Sequence, residues 1–391
     1  MPVSVGVCGK PNDSNNRGGK MMAEGRVKMV FPGGNTCLGF YSFYNYIIGE
    51  EARRIFVLKG GPGTGKSTFM KQIGKELLER GMDLEFHWCS SDRDSLDALA
   101  IPSHQLAILD GTEPHVVDPS YPGAVDEIVN LGDYLDQTKL VPYKEEIISL
   151  RGSVKHQFAI TYSSLRMAKL ARDEEISCQE KALDYQCFHR LTGELFRQIF
   201  GQNNTWGEGI PKERHLFASA LTPQGIIHYL PSLLEGITFL YSLEGDPGSG
   251  KEMILRELAE YAYRCGCTVD VYHCAFDPTR IDLVVLPERK TAVLNLFKEL
   301  DFDPESLSGL KYCERIDCNT CLDVQLLTKF ERELRESREL FNVCLQRALY
   351  YLKEARTYYQ QMENYYRDAM DFDAVERRRK EVLERILKII G

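Results

Sequence analysis

A chain of 391 residues exceeds the usual size of one hydrophobic core, so two domains are expected. Its 43% hydrophobic and 27% charged residues are those of a folded globular protein, which excludes a wholly disordered or low-complexity class. The formal charge of −9 gives no electrostatic footprint for nucleic acid, no apolar run is long enough to span a bilayer, and no apolar signal core stands at the start. Neither nucleic acid nor membrane is therefore an expected partner, and a cytoplasmic location is expected.

In chain order, residues 1–27, with "GKPNDSNNRGGK", read as a disordered polar tail. A first repeat covers 28–200. Its core, 28–137, holds the apolar run "RRIFVLKG", which reads as a strand ending at Gly60, and "KSTFMKQIGKELLERG", which has helical spacing and stops at Gly81. "EFHW" is a second strand. The following "CSSDRDS" offers polar groups that bind an acceptor or, as Ser and Asp favour, cap a next helix. "LAILDG" is a strand ending on Asp110. Residues 138–200 turn rich in Glu, Lys, Arg, Leu and Ala with apolar positions three or four apart, a helical appendage.

The segment 201–215, "GQNNTWGEGIPKERH", reads as a linker, and then the chain repeats itself. Phe31, Thr36 and Gly39 align with Phe217, Thr222 and Gly225; Cys89, Asp92, Asp97 and Pro102 align with Cys274, Asp277, Asp282 and Pro287; Asp110 aligns with Asn295. The second repeat spans 216–391, with a core at 216–322 and a helical appendage at 323–391. Two such halves can pack as an intramolecular pseudo-dimer, and the appendages offer surface for a protein partner.

The loop between strand and helix in the first repeat reads Gly60, Gly61, Pro62, Gly63, Thr64, Gly65, Lys66, Ser67, Thr68. Glycines let its backbone N–H groups approach phosphate oxygens at the positive end of the following helix. Lys66 suits the β- and γ-phosphates, and Ser67 with Asp110 suits Mg²⁺. Lys66, Asp110 and Glu113 are the catalytic candidates, with Asp92 and His115 as further groups able to orient or deprotonate a nucleophile. The second loop keeps Gly245, Gly248, Gly250 and Lys251 but has Glu252 for the hydroxyl and Asn295 for the strand-end acid. One Mg²⁺-nucleotide site and one altered copy are expected.

At these residues the chain resembles the P-loop NTPase superfamily, and more closely a bacterial group of ATPase-like proteins with duplicated P-loop halves. The resemblance implies an α/β fold class with two tandem P-loop NTPase-like cores, each followed by a long helical hairpin. It also implies ATP as the bound nucleotide, with Gly60, Gly61, Gly63, Gly65, Lys66, Ser67 and Thr68 as its contacts. Three functions fit: ATP hydrolysis at repeat one, transfer of phosphate to a small molecule or nucleotide, and a non-catalytic nucleotide-gated module. Arg53, Arg54, Arg93 and Arg214 are candidates for an arginine finger only by being basic.

The twelve cysteines suit a reduced interior better than a disulfide framework. Cys313, Cys318 and Cys321 have a spacing that holds zinc or an iron–sulfur cluster, with Cys265, Cys267, Cys274 or His273 as a fourth ligand through the fold.

Overall fold

The central strands form where short apolar runs bury both faces, one against a helix. The computed structural model describes residues 24–201 and 210–391. β1 (Val27–Val30) precedes a hairpin, β2 (Gly33–Thr36) and β3 (Gly39–Ser42). β4 (Arg54–Lys59), α1 (Lys66–Leu78), β5 (Leu84–Trp88), β6 (Leu96–Ile101), β7 (Leu106–Asp110) and β8 (Asp126–Asn130) follow. Outside the hairpin they make one mixed sheet in the order β1-β5-β6-β7-β4-β8. β6 runs antiparallel to both its neighbours, and the other pairings are parallel. The alternation of β7 sets its two faces: Leu106 and Ile108 lie with α1, while Ala107 and Leu109 pack against Ile47.

α2 (Gln137–Leu140), the 38-residue α3 (Lys144–Lys181) and α4 (Tyr185–Phe200) complete the first repeat. The second runs through β9 (Glu213–Phe217), β10 (Ser219–Thr222), β11 (Gly225–His228), α5 (Leu230–Leu233) and β12 (Phe239–Glu244). It continues with α6 (Lys251–Arg264), β13 (Val269–His273), β14 (Ile281–Leu286), β15 (Thr291–Asn295), β16 (Tyr312–Asp317) and α7 (Val324–Thr328). The 38-residue α8 (Glu331–Asp368) and α9 (Phe372–Ile390) end it. Its sheet order, β9-β13-β14-β15-β12-β16, is that of the first sheet element for element.

The halves meet through paired contacts of one kind. Phe31 and Phe217 exchange backbone hydrogen bonds at 3.1 and 3.0 Å. Arg214 of β9 bonds Glu85 of β5 at 2.5 Å, and Lys28 of β1 bonds Asp270 of β13 at 3.1 Å, so each half gives a cation to the other half's acid. α3 and α8 pair antiparallel: Tyr143 stands against Tyr365 at one end, and Arg338 binds Glu175 at the other.

The helices after each long strut cross over. Val375, Val382, Leu383 and Ile386 of α9 lie in the core of the first sheet with Phe56, Phe69 and Ile73. Phe188, Leu195 and Ile199 of α4 lie in the core of the second with Leu243, Leu255 and Leu258. The backbone records the exchange: Asp136 N donates to Ala369 O and Asp371 N to Tyr134 O, while Asp184 N donates to Cys321 O and Asp323 N to Ala182 O. Each appendage therefore covers the opposite core.

Four sequence expectations need correction. The first 23 residues lie outside the described ones, but the expected tail stops short of 27: Gly25 N donates to Leu78 O and Val27 opens β1, because β5 offers a free edge for a parallel partner. In the expected linker 201–215, residues 202–209 lie outside the described ones, yet Glu213, Arg214 and His215 belong to β9 and pair with β13. The cysteines are not all reduced: Cys187 of α4 and Cys321 form a disulfide that ties a first-repeat helix to the second core. That bond also removes the cysteine metal cluster, since Cys321 is used and Cys313 packs in a different apolar cluster from Cys318. Among the described residues no helix is long and apolar enough to cross a membrane.

Candidate functional site

The first glycine loop joins the end of β4 to α1, with Gly65 at the helix start in a left-handed conformation. Lys66 is buried, and its ammonium donates to Gly60 O at 3.0 Å and Gly61 O at 2.9 Å. It also faces Asp110 Oδ2 at 3.6 Å. β4 and β7 are parallel neighbours with Leu58 opposite Asp110, so the strand-end acid arrives beside the loop by register. Asp110 Oδ1 accepts from the backbone and hydroxyl of Thr112, which fixes the carboxylate plane. Ser67 Oγ accepts from Leu96 N at 2.9 Å. Thr64 is buried with its hydroxyl on Gly61 O, and Thr68 is exposed on α1.

Packing alone calls for one glycine of the loop. Gly63 has φ of +71°, and a Cβ there would lie 2.6 Å from Glu363 O of α8. A side chain would thus push the strut off the loop. The second loop repeats the contact, with Ile176 O of α3 at 2.9 Å from a Cβ on Gly248.

α8 brings one face of side chains over the strand ends of the first repeat. Arg356 donates to Asp92 Oδ2 at 2.7 Å and to Glu363 at 3.2 Å. Burial pushes both the Tyr359 phenol and the Glu363 carboxyl up, and Asp110 adds to the Tyr359 shift. Arg356, Tyr359 and Glu363 share that face at helical spacing. Arg356 belongs to the second repeat. Its counterpart Lys169 on α3 reaches Asp277, the counterpart of Asp92, at 3.4 Å. The basic residue at this position of both appendages was a readable signal, but only an alignment carried into the helices exposes it.

Other expected groups fall elsewhere. Asp92 does not cap a helix, because β6 follows: its Oδ1 accepts from Asp94 N in a tight turn. Glu113 is exposed and held by Arg151 of α3 at 2.5 Å. Arg53 and Arg54 stand at the start of β4, the end away from the loop, and Arg214 is engaged by Glu85. His115 packs near Asp97, its Nε2 at 3.3 Å from Asp97 Oδ2.

The second loop keeps its shape and changes its chemistry. Lys251 donates to Gly245 O, as Lys66 does to Gly60 O. Glu252, where Ser67 stands in the first repeat, forms an ion pair with Arg280. Asn295, where Asp110 stands, donates to Asp282 Oδ1 at 2.9 Å. Both members of the expected metal pair are thus replaced by groups engaged elsewhere, Glu252 by Arg280 and Asn295 by Asp282. A cavity of about 1170 Å³ opens beside this loop, lined by Gly248, Lys251, Glu252, Arg280 and Asn295 among others.

Burial pushes the Glu252 carboxyl up to about 7 against the opposing charge of Arg280. The folded chain then keeps a proton that the unfolded chain releases near the ordinary glutamate value, so this contribution is full below about pH 4.5 and is lost as pH rises through 7. Between pH 5.5 and 8 the protein should lose about 2 kcal/mol more stability than Glu252→Gln. Urea unfolding of both proteins at the two pH values checks this, and identical pH dependence would contradict it.

No family model matches the chain, and comparison with curated proteins and with solved structures gives no match, so the functional reading rests on the residues and geometry above.

Proposed function

We propose that the chain binds ATP with Mg²⁺ at the loop of residues 60–65 and hydrolyses it there, with the second repeat catalytically impaired. The convergence of Lys66, Ser67 and Asp110 at one loop–helix junction carries this reading. The fit to Mg²⁺ is favourable in donor type, since Ser67 and Asp110 supply hard oxygens and Asp110 Oδ2 already faces the Lys66 ammonium at 3.6 Å. Ser67 and Asp110 would hold the ion, which would supply positive charge to offset negative charge that develops on the phosphate oxygens.

The remaining work falls to the chain itself. Loop N–H groups and the positive end of α1 hold the phosphates, and Lys66 turns from its loop carbonyls to the β- and γ-oxygens. Arg356, reaching in from the second repeat, lends a cation from the other half of the molecule. Because α8 touches the first loop and α3 the second, a change at either loop is passed along the α3–α8 pair. This supports hydrolysis coupled to a shift of the two halves. The cavity beside Lys251 supports a second reading for that repeat alone, a nucleotide held without turnover.

Phosphate release from Mg·ATP by the purified protein, Lys66→Ala and Lys251→Ala, with nucleotide binding measured in each, tests the proposal. Release should vanish with Lys66→Ala and largely persist with Lys251→Ala. Release that survives Lys66→Ala overturns it. ADP formed only with an added acceptor, and without free phosphate, would make the chain a phosphotransferase instead.

A further inference from the structure

Beside Asp110, outside the glycine loop, three side chains of different chemistry converge from three separate segments. Cys89 follows β5, Asp97 lies in β6, and His115 lies beyond β7. One ligand atom of each lies within 4.8 Å of the other two. We propose that Cys89, Asp97 and His115 form a binding site for a borderline divalent transition metal of the Zn²⁺ class, with a fourth position left to water or another oxygen ligand.

The donor set selects the ion. A thiolate, an imidazole and a carboxylate suit Zn²⁺ or Co²⁺, whereas Mg²⁺ and Ca²⁺ take oxygen ligands. Three protein ligands with one open position is the arrangement of exchangeable zinc sites, as opposed to closed structural ones. The site is accordingly distinct in kind from the Ser67–Asp110 pair, and it does not depend on the nucleotide reading.

The geometry fits as well. His115 Nε2 and Asp97 Oδ2 are 3.3 Å apart, yet Oδ2 has no hydrogen-bond partner although Asp97 is only 4% exposed. Such a contact is expected of two ligands of one tetrahedral ion, whose nitrogen and oxygen atoms stand about 3.3 Å apart at ordinary zinc bond lengths. An unpaired carboxylate oxygen at this depth is otherwise costly. The imidazole is held by rings: Tyr44 stacks on it at 4.6 Å and Phe40 meets it edge-on at 4.8 Å. It is fixed for ligation without a hydrogen bond to Asp97.

The second repeat supplies a control within the same chain. Cys274 and Asp282 occupy the positions of Cys89 and Asp97, but no histidine occurs between Asn295 and Tyr312, and Asn295 donates to Asp282. Asp282 Oδ2 is without a partner as Asp97 Oδ2 is, so the missing histidine is the difference that leaves only the first repeat expected to hold the ion.

The test uses the full chain with its Cys187–Cys321 disulfide intact, stripped with a chelator and titrated with Co²⁺, then with Zn²⁺. One Co²⁺ per chain should bind with the charge-transfer absorption of a thiolate ligand, and Zn²⁺ should displace it. Cys89→Ser should lose that absorption, His115→Gln should weaken binding at least about tenfold, and Cys274→Ser should leave both unchanged. Absence of stoichiometric Co²⁺ binding by the unmutated protein overturns the site, whatever the variants do. Absorption that persists in Cys89→Ser places the thiolate elsewhere and overturns it equally.

Discussion

Arg356→Ala is expected to slow the proposed ATP hydrolysis by about 10³-fold or more, while ATP still binds within a few-fold of its original affinity. The size follows from the role. An arginine that meets charge developing on the transferred phosphoryl group acts on the transition state more than on the bound nucleotide. Its present partners, Asp92 and Glu363, hold the guanidinium over the strand ends of the first repeat. Arg356→Lys should recover only part of the loss, since an ammonium lacks the planar fork. Lys169→Ala, at the matching position of α3, should leave hydrolysis within a few-fold because it faces the second repeat. Single-turnover kinetics with separately measured binding distinguishes these outcomes. Arg356→Ala with unchanged turnover would remove this residue from the mechanism.

Val382→Asp should abolish the native packing of the first sheet although the substitution lies near the end of the second repeat. Val382 is fully buried in the core cluster that joins α9 to α1 and the first sheet, and the arginines one turn away, Arg378, Arg379 and Arg385, are already held by Glu127, Glu76 and Glu376, so a carboxylate there costs about 4 kcal/mol or more. Hydrogen exchange should show β4 and β7 losing protection while β12 and β15 keep theirs. The reciprocal variant Phe188→Ala, in α4, should cost about 3–5 kcal/mol and loosen the second sheet first. Unchanged protection of β4 in Val382→Asp would be incompatible with the crossed helices.

The strand, loop and helix around Lys66 were legible because each depends on local chemistry: an apolar run, glycines that turn, and a 3.6-residue period. The two halves were legible from matched residues such as Cys89 with Cys274. The crossing of α4 and α9 was not. An amphipathic helix declares that one face is buried, but its stripe does not say against which of two similar cores. Asp92 was misread for a related reason, since Ser and Asp serve turns before strands as readily as helix caps. The disulfide depends on α4 arriving at the second core, so no spacing could announce it. Cys89, Asp97 and His115 were each noted in the sequence, yet their separations match no ligand motif, and only the sheet brings them together.

The crossed helices also set a schedule. The first sheet has all its strands once Asn130 is made, but α9 begins only at Phe372, roughly 240 residues later. At about 5–20 residues per second, the apolar face that α9 will cover stays bare for on the order of 10–50 s on a growing chain. The second sheet has no such wait, because α4 precedes it. Synthesis therefore favours the second half as the first to close, although it is the last to be made.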